Sequence, residues 1–295
     1  MKSWIKAFRL RTLPLAISGW LVGTSIAANA IGLNYITAGL TLLTAILLQI
    51  LSNLANDYGD ASSGVDKERK GEERMVSSGQ ITPQAMKKAM IIFGLLALVS
   101  GSILLAIAFP EDWVSALIFL STGIIGIIAA IKYTVGKNPY GYVGFGDIFV
   151  FAFFGIVLVF GTYYLQTQEL RWLVMLPAAS LGLFSVGVLN VNNIRDIETD
   201  KAAGKNSIPV RLGRKNAVVY HIILLAGGMA SSVTFVILNF QSYGPLIFLF
   251  ISILFFKNIK AVHSKPLDEL DPYLKQMAIS VFLFALLFSI GQGLT

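Results

Sequence analysis

Apolar residues in this chain run in long blocks rather than in the short alternations of a water-soluble fold. Nine blocks approach the roughly 20 residues a helix needs to cross the hydrocarbon of a bilayer. They are Leu13–Ala30, Ile36–Leu54, Lys88–Phe109, Val114–Ile131, Gly144–Leu165, Trp172–Val191, Val218–Leu238, Tyr243–Phe256 and Tyr273–Gly291, the eighth being short. The first lacks a small-residue cleavage site and eight more follow it, so it reads as a span rather than as a removed signal. The pattern predicts an all-α polytopic membrane protein with nine transmembrane helices, arranged as two four-helix halves plus one. No low-complexity tract or linker interrupts it, so residues 1–295 read as a single integral-membrane domain.

Composition agrees. Only 13% of the 295 residues are charged, 55% are hydrophobic, and the mean hydropathy is +0.72. A soluble domain carries about 25% charged residues, so a disordered chain and an ordinary cytosolic enzyme are excluded. The absence of cysteine removes disulfide scaffolds, iron–sulfur clusters and thiolate zinc sites. Two histidines, His221 and His263, are too few for a histidine-rich metal centre.

Charge sets the orientation. With the N-terminus placed in the cytoplasm, 22 of the 23 Lys and Arg residues fall on the cytoplasmic side and only Arg171 falls outside. Such a bias is the positive-inside pattern of a membrane protein. The net charge of +7 is therefore read as topology, with the bilayer and not nucleic acid as partner. The outward loops are short and almost uncharged, which places function on the cytoplasmic face.

Two cytoplasmic segments carry the chemistry. After the second span comes Asn53-Leu-Ala-Asn56-Asp57-Tyr-Gly-Asp60, then Gly64-Val-Asp66-Lys67. After the sixth comes Asn190-Val-Asn192-Asn193-Ile-Arg195-Asp196-Ile-Glu198-Thr-Asp200. Asn56 and Asp60 are four apart, as are Asn192, Asp196 and Asp200, so each set shares one helix face. Intramembrane carboxylates cost about 2.5–3.5 kcal/mol even on lenient scales, and like charges at this spacing repel. A divalent cation between them offsets both penalties. Oxygen donors without His or Cys favour Mg²⁺, which takes one or two carboxylates plus phosphate oxygens. Acidic residues at span ends are ordinarily solvated loop charges. Two such clusters, each ending an even-numbered span and each followed by Gly and bases, read instead as a Mg²⁺–diphosphate clamp. The bases are Arg69, Lys70 and Arg74 in one segment, and Lys205, Arg211 and Arg214 in the other.

On these motifs the chain resembles the UbiA superfamily of intramembrane aromatic prenyltransferases, over essentially its whole length. Asn56-x-x-x-Asp60 followed by Asp66 is similar to the superfamily's first aspartate-rich motif. Asn192-x-x-x-Asp196-x-x-x-Asp200 is similar to the second. One departure is that Gly64 stands where the first motif's last aspartate belongs, with Asp66 two residues later. Three further segments resemble the branch that prenylates 1,4-dihydroxy-2-naphthoate in menaquinone synthesis. They are Arg9-Leu-Arg11-Thr12-Leu13-Pro14, Asn56-Asp-Tyr-Gly-Asp60, and the run Tyr133-x-x-Gly136-Lys137-x-Pro139-Tyr140-Gly141-Tyr-x-Gly144-x-Gly146-Asp147.

The resemblance implies the following roles. Asn56, Asp60, Asn192, Asp196 and Asp200 coordinate metal directly or through water, with Asp57 and Asp66 as second choices. Asp60, Asp196 and Asp200 are the catalytic carboxylates. Arg74, Lys205 and Arg211 contact diphosphate, and the polyprenyl tail of the polyprenyl diphosphate lies among apolar helices. Ionisation leaves an allylic cation, which needs a dry, electron-rich site; Tyr58, Tyr133 and Tyr140 lie near the mouth. Arg9 or Arg11 binds the acceptor carboxylate before it leaves as CO₂, and Lys132, Tyr133, Tyr140 and Asp147 are further candidates for positioning the acceptor. The setting implied is the plasma membrane of a bacterium. Two other readings stand beside this one: a superfamily member with another acceptor such as 4-hydroxybenzoate, and a cation-coupled transporter. Transporter sites lie near the bilayer midplane on broken helices, whereas these clusters sit at span ends beside basic residues.

Overall fold

The computed structural model describes residues 2–63 and 74–294. Among the described residues no strand occurs, and nine helices are long and apolar enough to cross a membrane. They are α1 (Leu13–Ile31), α2 (Tyr35–Ser63), α3 (Pro83–Ala108), α4 (Trp113–Lys132), α5 (Gly146–Thr167), α6 (Trp172–Arg195), α7 (Ile208–Leu238), α8 (Gly244–Ser264) and α9 (Asp271–Gln292). A short helix, Lys2–Ala7, precedes α1. Helices satisfy their own backbone groups, which lipid cannot do. Thr82 and Asp112 finish the accounting at two N-termini, where their side chains accept from Ala85 N–H at 3.2 Å and Ser115 N–H at 3.0 Å.

Three spans outrun their apolar blocks by eight residues or more, α8 by reaching Ser264 rather than Phe256. Helix α2 continues nine residues past Leu54 and so carries Asn56, Asp57 and Asp60 on the helix itself. Helix α7 starts at Ile208 rather than Val218, and is broken at Gly213 (φ 71°, ψ 159°), a conformation open only to glycine. The hydropathy pattern marks where the lipid ends, whereas a helix continues wherever its polar residues find water or partners.

Helices α2, α3 and α4 pack on one another, and α1 packs on α2, α5, α6 and α9. Helix α6 packs on α5, α7 and α9, while α8 rests on α7 and α9. The described helices thus pack as one bundle, in which α1 and α6 both touch α5 and α9. A core including Val22, Tyr163, Leu181, Phe184, Phe248 and Phe284 joins α1, α5, α6, α8 and α9. Phe184 contacts the rings of Phe255 and Phe284 at centroid distances of 4.7 and 4.8 Å. The outward faces are apolar, as lipid requires; α4 is the least buried span.

The two ends of the bundle differ. At one end Tyr35, Trp113, Trp172 and Tyr243 stand exposed at or near the starts of α2, α4, α6 and α8, the headgroup-level aromatic belt of membrane proteins. Asn29 donates to Gln292 O, Gln168 to Ala108 O and Arg171 to Asn239 Oδ1 there, tying the loops together. The other end gathers the N-terminal segment, the α2–α3, α4–α5 and α6–α7 connections, and the start of α9. Both Asn/Asp clusters lie at that end.

Candidate active site

Gly59 explains why the first cluster sits where it does. A Cβ there would lie 2.6 Å from Thr134 O, so only glycine lets α2 approach the segment after α4 this closely. The Thr134 hydroxyl then donates to Ala55 O at 2.9 Å and to Asn56 Oδ1 at 3.4 Å. One turn on, Asp60 is buried; its Oδ2 accepts from Arg74 Nη2 at 2.7 Å and its Oδ1 from the Tyr142 hydroxyl at 2.9 Å.

The second cluster is built on the end of α6. Asn192 belongs to the last turn, Asp196 is the residue at which the helix stops, and Asp200 lies on the short helix Ile197–Ala202. Arg195 grips the Asp196 carboxylate with two bonds, Nε to Oδ1 at 2.7 Å and Nη2 to Oδ2 at 2.8 Å. Lys205 Nζ donates to Asp200 Oδ1 at 3.2 Å and stands 5.7 Å from the centre of the Tyr142 ring. Tyr142 therefore links the clusters, bonded to Asp60 on one side and facing Lys205 on the other. Asn206 N–H donates to Tyr142 O at 2.7 Å and fixes the two loops together.

Asn56, Asp60, Asn192, Asp196 and Asp200 all line one cavity of about 410 Å³, together with Arg9, Arg11, Arg74, Lys205 and Lys275. Among the described residues, cationic side chains on this wall outnumber carboxylates five to three, a balance that suits an anion. Below the polar mouth the wall turns apolar. On α2 the lining residues Thr41, Thr44, Ala45, Leu48, Ser52, Asn56 and Asp60 form one continuous stripe, about 28 Å long at roughly 1.5 Å per residue. Between mouth and interior runs an aromatic ladder. Tyr133 meets Tyr140 edge-on at 5.4 Å, Tyr140 stacks on Phe149 at 4.1 Å, and Phe149 on Phe153 at 6.3 Å. Burial, then the nearby carboxylates of Asp147 and Asp60, push the Tyr133 phenol above its ordinary range, and burial does the same to Tyr140. Both rings stay neutral and line the cavity.

Several residues singled out from the sequence have other tasks. Asp57 is not aimed at the cavity: its two oxygens accept from Met75 N–H and Val76 N–H, each at 2.9 Å. That pair of bonds holds residues 75 and 76 against α2, beside Arg74, which reaches Asp60. Arg211 is exposed and spends its guanidinium on Asn206 O and Val143 O. Arg214 donates to Val262 O and Lys265 O at the end of α8. Lys132 is exposed and outside the cavity wall. Asp147 is buried against α7, where the Tyr220 hydroxyl donates to its Oδ2 at 2.9 Å. Tyr58 packs among Leu54, Met75 and Met86. In most of these cases helical spacing or loop proximity is right, but a neighbouring donor, carbonyl acceptor or apolar cluster takes the side chain away from the cavity. Asp66, with Lys67, Arg69 and Lys70, lies outside the described residues.

Other contacts around the site were not legible in the sequence. Asn53 donates to Phe8 O at 2.9 Å and to Thr12 Oγ1 at 2.8 Å, and Gln49 to Thr12 Oγ1 at 3.1 Å, holding the N-terminal segment across the mouth. Arg9 adopts a left-handed backbone (φ 47°), a state that costs a non-glycine residue about 1–3 kcal/mol, in the turn that brings it and Arg11 to the cavity. Tyr142 sat inside the recognised Tyr133–Asp147 run without any sign of its role. Asp271, the first residue of α9, accepts from Arg195 and Arg11.

The donor set fits Mg²⁺. It is wholly oxygen, and among the described residues no group of three or more His, Cys, Asp or Glu side chains closes into a protein-only cage. An incomplete set of carboxylates and amides facing an anion-sized space is what an ion with phosphate and water ligands requires.

Residues 16–286 match the UbiA prenyltransferase family. The chain is 42% identical over 295 residues to the 1,4-dihydroxy-2-naphthoate octaprenyltransferase of Haemophilus influenzae, covering 99% of this chain and 96% of that protein. It is 43% identical over 298 residues to the protein of the same description in Escherichia coli strain K12, covering 98% and 94%. Its fold is similar to the apo structure of a UbiA homologue from Aeropyrum pernix K1, with a TM-score of 0.70 at 15% identity, covering 96% of this chain and 97% of that one. It is likewise similar to a UbiA homologue from Archaeoglobus fulgidus bound to GPP and Mg²⁺, with a TM-score of 0.64 at 18% identity, covering 99% of each chain.

Proposed function

The chain belongs to the UbiA prenyltransferase family, and we propose that it transfers a polyprenyl group from polyprenyl diphosphate to 1,4-dihydroxy-2-naphthoate. Diphosphate and CO₂ are lost and demethylmenaquinol is formed, a step of menaquinone synthesis. Relatives at 42–43% identity that carry this description support the acceptor. The single structural observation that supports the chemistry is the meeting of Asp60–Arg74 and Asp200–Lys205 across Tyr142, at the mouth of an apolar cavity.

The residues divide the work as follows. Arg74 and Lys205 face the diphosphate as fixed positive charge, which favours the departing anion over the bound ester. Asn56, Asp60, Asn192, Asp196 and Asp200 hold Mg²⁺, directly or through water. Bound there, the metal neutralises phosphate oxygens and lowers the barrier to breaking the allylic C–O bond. The bond breaks with its electron pair going to diphosphate, and positive charge remains on the prenyl C1. Tyr133, Tyr140 and Phe149 line the path of that cation and stabilise it through their ring faces. The surrounding apolar wall keeps water away. Arg9 and Arg11 hold the acceptor's carboxylate at the mouth, so that its electron-rich ring attacks C1. The tail lies along the α2 stripe. The whole chain acts as one domain in the plasma membrane, with this mouth facing the cytoplasm, where the basic loops gather.

Purified protein in lipid, given Mg²⁺ and a labelled polyprenyl diphosphate, should yield a prenylated naphthoquinol from 1,4-dihydroxy-2-naphthoate, identified by mass spectrometry. Product from 4-hydroxybenzoate alone would overturn the acceptor. Absence of transfer to either acid would overturn the reaction.

A further inference from the structure

Arg195 is a buried cation with an unusual set of partners. Its side chain is 3% exposed, and a guanidinium so placed must be paired on all sides. Besides its two bonds to Asp196, Nη2 donates to Asn192 Oδ1 at 3.0 Å and Nη1 donates to Asp271 Oδ1 at 2.5 Å. The other oxygen of Asp271 accepts from Arg11 Nη1 at 3.3 Å. The charges alternate along one line: Arg11, Asp271, Arg195, Asp196. That line crosses three elements, the turn before α1, the first residue of α9 and the end of α6.

We propose that Asp271 and Arg195 form a positioning pair that aims the Asn192 and Asp196 oxygens at the cavity and sets how strongly Asp196 binds a divalent cation. This rests on the assignment of Asn192 and Asp196 as cation ligands. A rigid planar fork that holds both residues at once leaves them little rotamer freedom. A carboxylate offers about four lone-pair sites, and Arg195 takes one on each Asp196 oxygen. Asp271 controls the rest. It shares the charge of Arg195; without it, Asp196 alone balances that buried cation and Arg11 adds further repulsion. Asp196 then becomes a weaker ligand for metal. Asp271 itself sends both oxygens to guanidinium groups, and so acts through Arg195 rather than on the cation.

The test uses the full-length protein in detergent or lipid, with Mn²⁺ as probe, its binding read by electron paramagnetic resonance. Outer partners of metal ligands are typically worth 10- to 100-fold in affinity. Asp271→Ala should weaken Mn²⁺ binding at least about tenfold, and Asp271→Glu should restore most of it. In turnover assays the same variant should need correspondingly more Mg²⁺, yet regain most of its kcat at saturating metal. A thermal unfolding transition in each variant confirms the fold. If the alanine substitution destroys it, Asp271→Asn, which keeps one acceptor oxygen, takes its place. Unchanged Mn²⁺ binding in a folded variant overturns the proposal. So does activity that no metal concentration restores, since that marks Asp271 as a ligand or a substrate contact. Because Mn²⁺ binding is read without prenyl transfer, failure of the proposed reaction leaves this measurement standing.

Discussion

The Tyr142 hydroxyl donates to Asp60 Oδ1 at 2.9 Å, joining the loop before α5 to the carboxylate at the end of α2. The same hydroxyl lies 2.7 Å from Ser63 Oγ. A hydrogen bond to a charged group is worth about 1.5–3 kcal/mol. Tyr142→Phe keeps the ring that faces Lys205 and removes the hydroxyl, and with it the bond to Asp60 and the contact with Ser63. It should lower kcat/KM about tenfold or more while leaving the protein folded; kcat/KM equal to wild type would deny the bridge a part in organising the site.

Asp60→Ala and Asp196→Ala should each abolish prenyl transfer in an inserted, folded protein, and removal of divalent metal by EDTA should do the same until Mg²⁺ is returned. Turnover assays on membranes that contain equal amounts of each variant provide the check. Substantial activity in either variant counts against the two-cluster clamp.

Asp57 behaves differently. Asp57→Ala leaves two backbone amides without their acceptor, at about 1–3 kcal/mol each where they are buried. Its thermal midpoint in detergent should fall. Activity should drop as well, because Arg74 loses its anchor.

Gly123 faces the tail cavity, and a Cβ built there meets no atom within 4 Å. It lies ten residues from Tyr133, about 15 Å along α4 at roughly 1.5 Å per residue. Four carbon–carbon bonds of about 1.5 Å advance an extended tail by about 5 Å per isoprene unit. Gly123→Phe therefore obstructs the cavity about three units in. Geranyl diphosphate, with two units, should remain a substrate, while an octaprenyl donor should lose at least tenfold in kcat/KM. Equal losses for both lengths would remove the tail from this wall.

Tyr133 supplies a pH dependence. Its folded pKa lies above the ordinary value of 10.0, so the unfolded chain releases this proton first. Stability contributed by the neutral phenol is complete below about pH 10 and declines as pH rises beyond it. Tyr133→Phe should show a shallower fall in thermal midpoint above pH 10 than the wild type.

Much of this was legible in the chain. Apolar length is a local quantity set by bilayer thickness, so the nine spans could be counted directly. The i, i+4 spacing of Asn56 with Asp60, and of Asn192 with Asp196 and Asp200, is equally local, because one helix turn decides which side chains share a face. Tertiary structure decided where each polar atom finds its partner. Asp57 and Asp60 are three residues apart and of one chemical type, yet backbone amides from residues 75 and 76 claim the first while Arg74 and Tyr142 turn the second toward the cavity. Arg74 and Arg211 both follow an acidic cluster; one reaches the mouth and the other caps carbonyls outside it. Asp271 stands 75 residues beyond Asp196 in the chain and joins it only through Arg195. Spacing along one helix is written in its own residues, whereas a hydrogen bond between distant segments exists only after packing has brought donor and acceptor within 3 Å.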